Sequence, residues 1–241
     1  MPFTFSHPAI ILPLIKFGQK RFSATALVAG SMAPDFEYFI NMEMRQVHGH
    51  TIPGMFYYDL PITLALCFLF HYFVRDAFIR NFPMPLRKEL VNFYGYEWNY
   101  RFKKHWAVIF YSALIGVMSH LFWDSFTHAN RYFVELIPFL QERSSFMGGQ
   151  LYNHDIAQIL SSIIGGILIL ISVADLNQLF AWRINLRSTI YWLLVGVIMV
   201  FTIFIRDVQN ISDIIATSIA GGLLGLMTAP FIIKRLNLEP E

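Results

Sequence analysis

Three ionisable side chains, His120, Asp124 and His128, recur every fourth residue where the apolar run Ala107–Trp123 ends. Four residues make about one helical turn, so all three lie along one helix face and drift by roughly 40° per step. Ionisable groups at the edge of a membrane helix are costly to hold there and point to function. Histidine and aspartate are also zinc ligands, and a divalent ion with an open position lowers the pKa of a bound water to about 7. One ion cannot take all three residues, because His120 and His128 stand about 12 Å apart along the axis. An Asp124 that bridges two ions fits the spacing, and paired ions suit phosphoester cleavage. Without metal, each residue has a plainer role. His120 could bond a neighbouring helix, Asp124 could cap a helix or pair with Arg131, and His128 could sit against a helix C-terminus.

The rest of the chain must bring partners to this face. It has 241 residues, 56% of them hydrophobic and only 14% charged. Soluble domains carry about 25% charge, so the chain reads as a membrane protein. Its net charge of +2 is too small to argue for nucleic acid. The single cysteine, Cys67, rules out a disulfide within the chain. The start has no basic n-region and carries Pro8 and Pro13, so it does not read as a cleavable signal peptide.

Five runs are apolar enough to be membrane helices: Leu60–Val74, Ala107–Trp123, Ile156–Ala174, Ile190–Ile205 and Ile214–Ile233. The fourth extends back over Leu186–Thr189. Basic residues favour the cytoplasm. Arg75, Arg80, Arg87, Lys88, Arg101, Lys103 and Lys104 follow the first run. Arg183 and Arg187 precede the fourth, and Lys234 and Arg235 end the fifth. If every run crosses once, these groups share one side, which places the C-terminus in the cytoplasm. The bases and rings between Arg75 and His105 fit either an amphipathic segment on an anionic leaflet or a loop packed on the protein.

Before the first span, Ser6-His7-Pro8 resembles a helix start with Ser6 as N-cap. The helix Pro8–Phe17 is too short to cross. Ser23–Met32 returns and stops at Ala33-Pro34-Asp35, since a residue before proline disfavours helix. This short-helix hairpin brings His7 and Asp35 together. The fold class is therefore all-α: a polytopic membrane protein with about five transmembrane helices and an N-terminal hairpin. It forms one membrane domain, with half-helices and a His/Asp loop over 1–58, the first two spans over 59–128 and three more over 129–241.

On this topology the candidate ligands sort to the non-cytoplasmic face, His7 and Asp35 among them if the N-terminal hairpin opens in the same direction. They are His7, Asp35, His50, His120, Asp124 and His128. Of eight histidines, only His71 and His105 fall on the other side. His48 competes with His50, and one of the two could simply face water. Asp35 could instead N-cap Phe36–Met42, Asp59 the helix after Pro61, and His154-Asp155 the third span. Glu37 and Asp59 are the candidate general bases or supporting carboxylates. Gly165-Gly166, Gly221-Gly222 and Gly225 lie mid-membrane, where small residues let helices approach closely.

The ordered set Met1-Pro-Phe-Thr-Phe-Ser-His7-Pro8, Gly30-Ser-Met-Ala-Pro34-Asp35-Phe-Glu37-Tyr38, His50-Thr-Ile-Pro53-Gly54, Asp59-Leu-Pro61 and Ser119-His120-x-x-Trp123-Asp124-x-x-Thr127-His128 resembles a bacterial membrane family catalogued as domain of unknown function 4184. The resemblance implies a bacterial cytoplasmic membrane and no particular activity. A fainter one is to membrane-bound proteins described as metal-dependent hydrolases. A His-x3-acid helix is also similar to part of the zinc-dependent phospholipase C pattern, as an analogy only.

Three functions fit these residues. The first is a metal-dependent hydrolase, with one or two zinc-like ions, acting on an ester or phosphoester of a lipid-like substrate. The second is a transporter or metal-handling protein. The third is a structural membrane protein whose polar groups cross-link helices. The expected surroundings are the lipid bilayer, with no nucleic acid.

Overall fold

The computed structural model describes residues 3–18, 21–82, 90–173, 186–208 and 210–236. Arg87, Lys88 and Arg183, which count among the basic groups above, lie outside them. The chain is an all-α polytopic membrane protein. Among the described residues, five helices are long and apolar enough to cross a membrane. In lipid every backbone polar group must be satisfied within the segment, which is why the spans are helical.

A 3-10 turn, Thr4–Ile11, leads into α1 (Leu12–Phe17), and α2 (Ala24–Met32) returns. Ser6 is not an N-cap, because its hydroxyl lies within the 3-10 turn and donates to the Phe3 carbonyl. Ser23 caps α2 by accepting from the Ala26 amide. Pro34 does not end the helical path. The chain tightens to 3-10 over Ala33–Asp35 and runs on as α3 (Phe36–Asn41). The conflict that proline creates is met by a change of pitch rather than a stop.

The first span, α4, runs over Ile52–Asn81 and is twice the expected length. Thr51 caps it by accepting from the Gly54 amide, so Asp59 is not the cap. Asp59 instead lies inside α4, buried, in a π-turn over Met55–Asp59. A second π-turn, Phe70–Val74, holds His71. The second span, α5 (Trp98–Thr127), starts nine residues before the apolar run and bends at His105. Arg75–His105 is therefore not one surface segment, since its two ends are turns of α4 and α5. Hydropathy stops at the first charges, whereas helical hydrogen bonding does not.

Beyond α5, two short helices, α6 (Tyr132–Leu136) and α7 (Pro138–Gln141), precede a small β-hairpin. Its strands are β1 (Arg143–Phe146) and β2 (Gly149–Tyr152), the only strands among the described residues. The remaining spans are α8 (Asn153–Val173), α9 (Leu186–Arg206) and α10 (Ile211–Arg235). On α8, Ile163, Ile164, Ile167 and Ile171 are exposed, as a helix solvated by lipid requires.

The chain groups into two compact units. The first comprises residues 1–35, 48–64 and 102–172. In it α2 crosses α5 with backbones in contact: a Cβ added at Gly30 would meet the Ala113 carbonyl at 2.4 Å. Ser162 of α8 accepts from the Phe3 amide, and a Cβ at Gly165 would strike Ser6 at 2.9 Å. Gly166 faces open space.

The second unit comprises residues 36–47, 65–101 and 173–241. There α9 and α10 pack antiparallel, with Gly221 against Met199 and Gly225 against Val195. Tyr191, Val195, Ala229, Ile233 and Ala77 form its buried apolar cluster. Buried Arg75 pairs with Asp76 and donates to His71 Nδ1 and to the Tyr96 carbonyl, while Asp76 accepts from the Gly95 amide. Replacing Arg75 by Met leaves those acceptors without their donor. It is expected to cost about 2 kcal/mol or more, read as a lower melting temperature in detergent.

Candidate metal centre

His120 and Asp124 project from α5 one turn apart, into the angle where α2 crosses at Gly30 and Gly116. The 3-10 turn after α2 delivers Asp35, and the loop before α4 delivers His50. Asp35, His50, His120 and Asp124 are all buried, and one ligand atom from each falls within 4.8 Å of the others. His50 Nε2 lies 3.1 Å from His120 Nε2, 3.0 Å from Asp124 Oδ2 and 3.4 Å from Asp35 Oδ1. His120 Nε2 lies 3.2 Å from Asp124 Oδ2 and 3.6 Å from Asp35 Oδ1. A tetrahedron with metal–ligand bonds near 2.05 Å has edges of about 3.3 Å. Five edges of this four-atom set thus bracket the value a small tetrahedral cation would impose.

The tautomer of His120 decides what the centre can hold. Its Nδ1 lies 2.8 Å from the Ser31 carbonyl, which can only accept, so Nδ1 carries a hydrogen. In the neutral ring Nε2 is then a bare lone pair. It faces two carboxylate oxygens and a second imidazole nitrogen, all electron-rich. Such a set is stable only around positive charge, either an added proton or a metal ion. A carbonyl on the outer nitrogen is also the support that metal-bound histidines normally have.

Asp35 is held in the same way. The Thr4 hydroxyl donates to its Oδ2 at 2.5 Å and leaves Oδ1 for the centre. The ordinary titration of the loop groups is displaced accordingly. Burial opposes charge on His50, but hydrogen bonds to Asp124 and Asp35 outweigh it and raise its pKa. Burial also opposes charge on Asp35, yet His120 and His50 pull its pKa down. For His7 burial wins, reinforced by His120, and its pKa falls.

His7 and His128 attend the other oxygen of Asp124. His7 Nε2 is 3.1 Å from Oδ1, and His128 Nδ1 is 3.4 Å from it. His7 also stacks on His120, ring centres 3.9 Å apart. All six predicted ligands therefore gather in the first unit. His50 sits at the centre with a left-handed backbone (φ 60°), its carbonyl accepting from Arg131. Such a conformation is uncommon outside glycine and persists only where surroundings enforce it. Its rival His48 is exposed and lies beside Tyr57 and Tyr58.

Arg131 thus holds His50 rather than Asp124. His154 donates to the Leu140 carbonyl. Buried Glu37 accepts from the Val47 amide, and buried Asp59 stays within its π-turn; neither is among the four clustered residues. Thr4, the Ser31 carbonyl and Gly116 support the centre without having been singled out from the sequence. Only Thr4, one helical turn before His7, left a readable trace. Thr4→Val removes the donor that aims Asp35. It is expected to weaken metal binding by about 10–100-fold with the fold intact, measured by competition with a chelating dye.

Fold and centre together define a class: helical polytopic membrane proteins with a buried His/Asp cluster able to hold a metal ion. Within that class, a family model described as Domain of unknown function (DUF4184) matches residues 1–232, and the chain belongs to that family. No curated protein and no solved structure gives a significant match.

Proposed function

We propose that the protein is a membrane-embedded, metal-dependent hydrolase acting on an ester or phosphoester of a lipid-like substrate. One observation carries the reading: His120 Nε2, with Nδ1 turned to the Ser31 carbonyl, is enclosed by two carboxylates and a second imidazole at near-tetrahedral spacing. Two nitrogens and two oxygens suit zinc, which is indifferent to ligand-field geometry and takes both donor types. Asp35, His50, His120 and Asp124 would hold the ion. Metal held in the His/Asp cluster would supply the Lewis acidity that ester or phosphoester hydrolysis needs. Asp59, buried in the same unit, is the carboxylate proposed to handle protons.

Phe122 of α5, with Tyr132 and Phe139 of the two short helices that follow it, is exposed, and these rings would receive an apolar substrate from the bilayer. The centre is assigned to the non-cytoplasmic face of a bacterial cytoplasmic membrane, with the C-terminus in the cytoplasm. The distribution of Lys and Arg supports that orientation.

Bound metal in detergent-purified protein, together with hydrolysis of phosphoester and carboxyl-ester lipids, tests the reading. Native protein should carry zinc and release product, and chelation should stop release. Chelation should also lower the melting temperature, because ligand present at about 1,000 times Kd contributes about 4 kcal/mol. Protein without metal overturns the reading. So does ion flux in proteoliposomes without hydrolysis, which would mark a transporter.

A further inference from the structure

If the four-residue centre serves a hydrolase, its own chemistry requires a second metal position. Four protein ligands close a tetrahedral zinc site, and closed sites are structural, whereas catalytic ones keep a position for water. His50, His120, Asp35 and Asp124 have side chains 4% exposed or less. The position that receives water and substrate must lie elsewhere.

We propose, resting on the hydrolase reading, that Asp124 bridges to a second cation through its other oxygen, with His7 Nε2 and His128 Nδ1 as the remaining protein ligands. The atoms are disjoint from the first set: Oδ2 of Asp124 belongs to the closed centre and Oδ1 to this one. The 3.1 Å and 3.4 Å separations from Oδ1 match a tetrahedral edge as well as those of the first centre do. Three protein ligands leave one position open. It opens where the cluster reaches the surface, since the His128 side chain is 27% exposed while that of His7 is 1% exposed. The other atoms near the His128 ring are the Thr127 hydroxyl, 3.2 Å from Nδ1, and the Gln158 amide, 3.5 Å from Nε2. Both of these hydrogen-bonding neighbours are uncharged. Two ions sharing one carboxylate stand about 3.5–4 Å apart, the spacing at which phosphoester-cleaving sites hold the attacking and leaving oxygens. The substrate class narrows accordingly to phosphoesters.

The experiment titrates Mn²⁺ into chelator-stripped, full-length protein in detergent, with binding counted by elemental analysis and ion–ion coupling read by electron paramagnetic resonance. The native chain should take up two ions per molecule with a spin-coupled spectrum. His128→Gln, whose ring is partly exposed and should fold, should take up one ion with an uncoupled spectrum, and His7→Gln should behave alike. One ion in native protein and in both variants overturns the second position but leaves the first standing. Two coupled ions in His128→Gln and His7→Gln alike overturn these ligands. No ion in native protein overturns the reading on which the second position rests.

Discussion

Asp124→Asn is expected to abolish metal binding and leave the protein without bound zinc after purification. Among the described residues, Asp124 is the one whose two oxygens meet four imidazoles: His50 and His120 on Oδ2, His7 and His128 on Oδ1. An amide has nearly the same shape but half the acceptor capacity and no charge. Whichever way it turns, one pair of rings faces an N–H donor in place of an anion. The loss should exceed the roughly 10–100-fold that accompanies removal of a supporting partner. His48→Ala is the control, since His48 is exposed and lies on Tyr57 and Tyr58, and its metal content should equal the native value. Equal metal in native and Asp124→Asn protein would leave the cluster as a hydrogen-bonded cross-link between helices.

Gly116→Ala should disable the same centre without touching a ligand. A Cβ there would lie 2.5 Å from the Leu27 carbonyl and 2.9 Å from Gly30 Cα, and both neighbours are backbone. No side chain can turn aside, so α2 and α5 must part. The Ser31 carbonyl then leaves His120 Nδ1, and Asp35 moves with the end of α2. Overpacking of this kind costs about 1–3 kcal/mol or more, and here metal affinity should fall with it. Gly166→Ala makes the opposite case, because nothing stands within 4 Å of its added Cβ. With only helix propensity changed, that variant should be neutral or gain up to about 1 kcal/mol. Melting curves in detergent with and without zinc measure both. An unchanged Gly116→Ala protein would mean that the helix crossing does not set the site.

The membrane class was plain from composition, because a lipid solvent leaves its mark on every residue of a span. All five spans lie where the apolar runs placed them. Their ends do not, since α4 takes in Asp59 and Arg75–Asn81, and α5 takes in Trp98–Trp106. Charged turns at the membrane edge remain helical while failing every test of hydropathy. The helical path through Pro34 was unreadable for a related reason: proline forbids one hydrogen bond but not a tighter pitch.

Asp124's central place among His120 and His128 was readable from spacing alone, because a helix fixes where its fourth neighbours stand. That His7, Asp35 and His50 would join them came from sorting residues to one side of a membrane, which supplies a face but no distance. Only the tertiary structure chose His50 over His48, turned Arg131 toward the His50 carbonyl and set the Ser31 carbonyl on His120. Those choices rest on the backbone contact of Gly30 with Gly116, across a separation of 86 residues, and on a left-handed turn at His50. Periodicity records what one helix does with its own side chains. It holds nothing about how closely two helices approach, and that approach gathers scattered histidines and aspartates into one buried cluster.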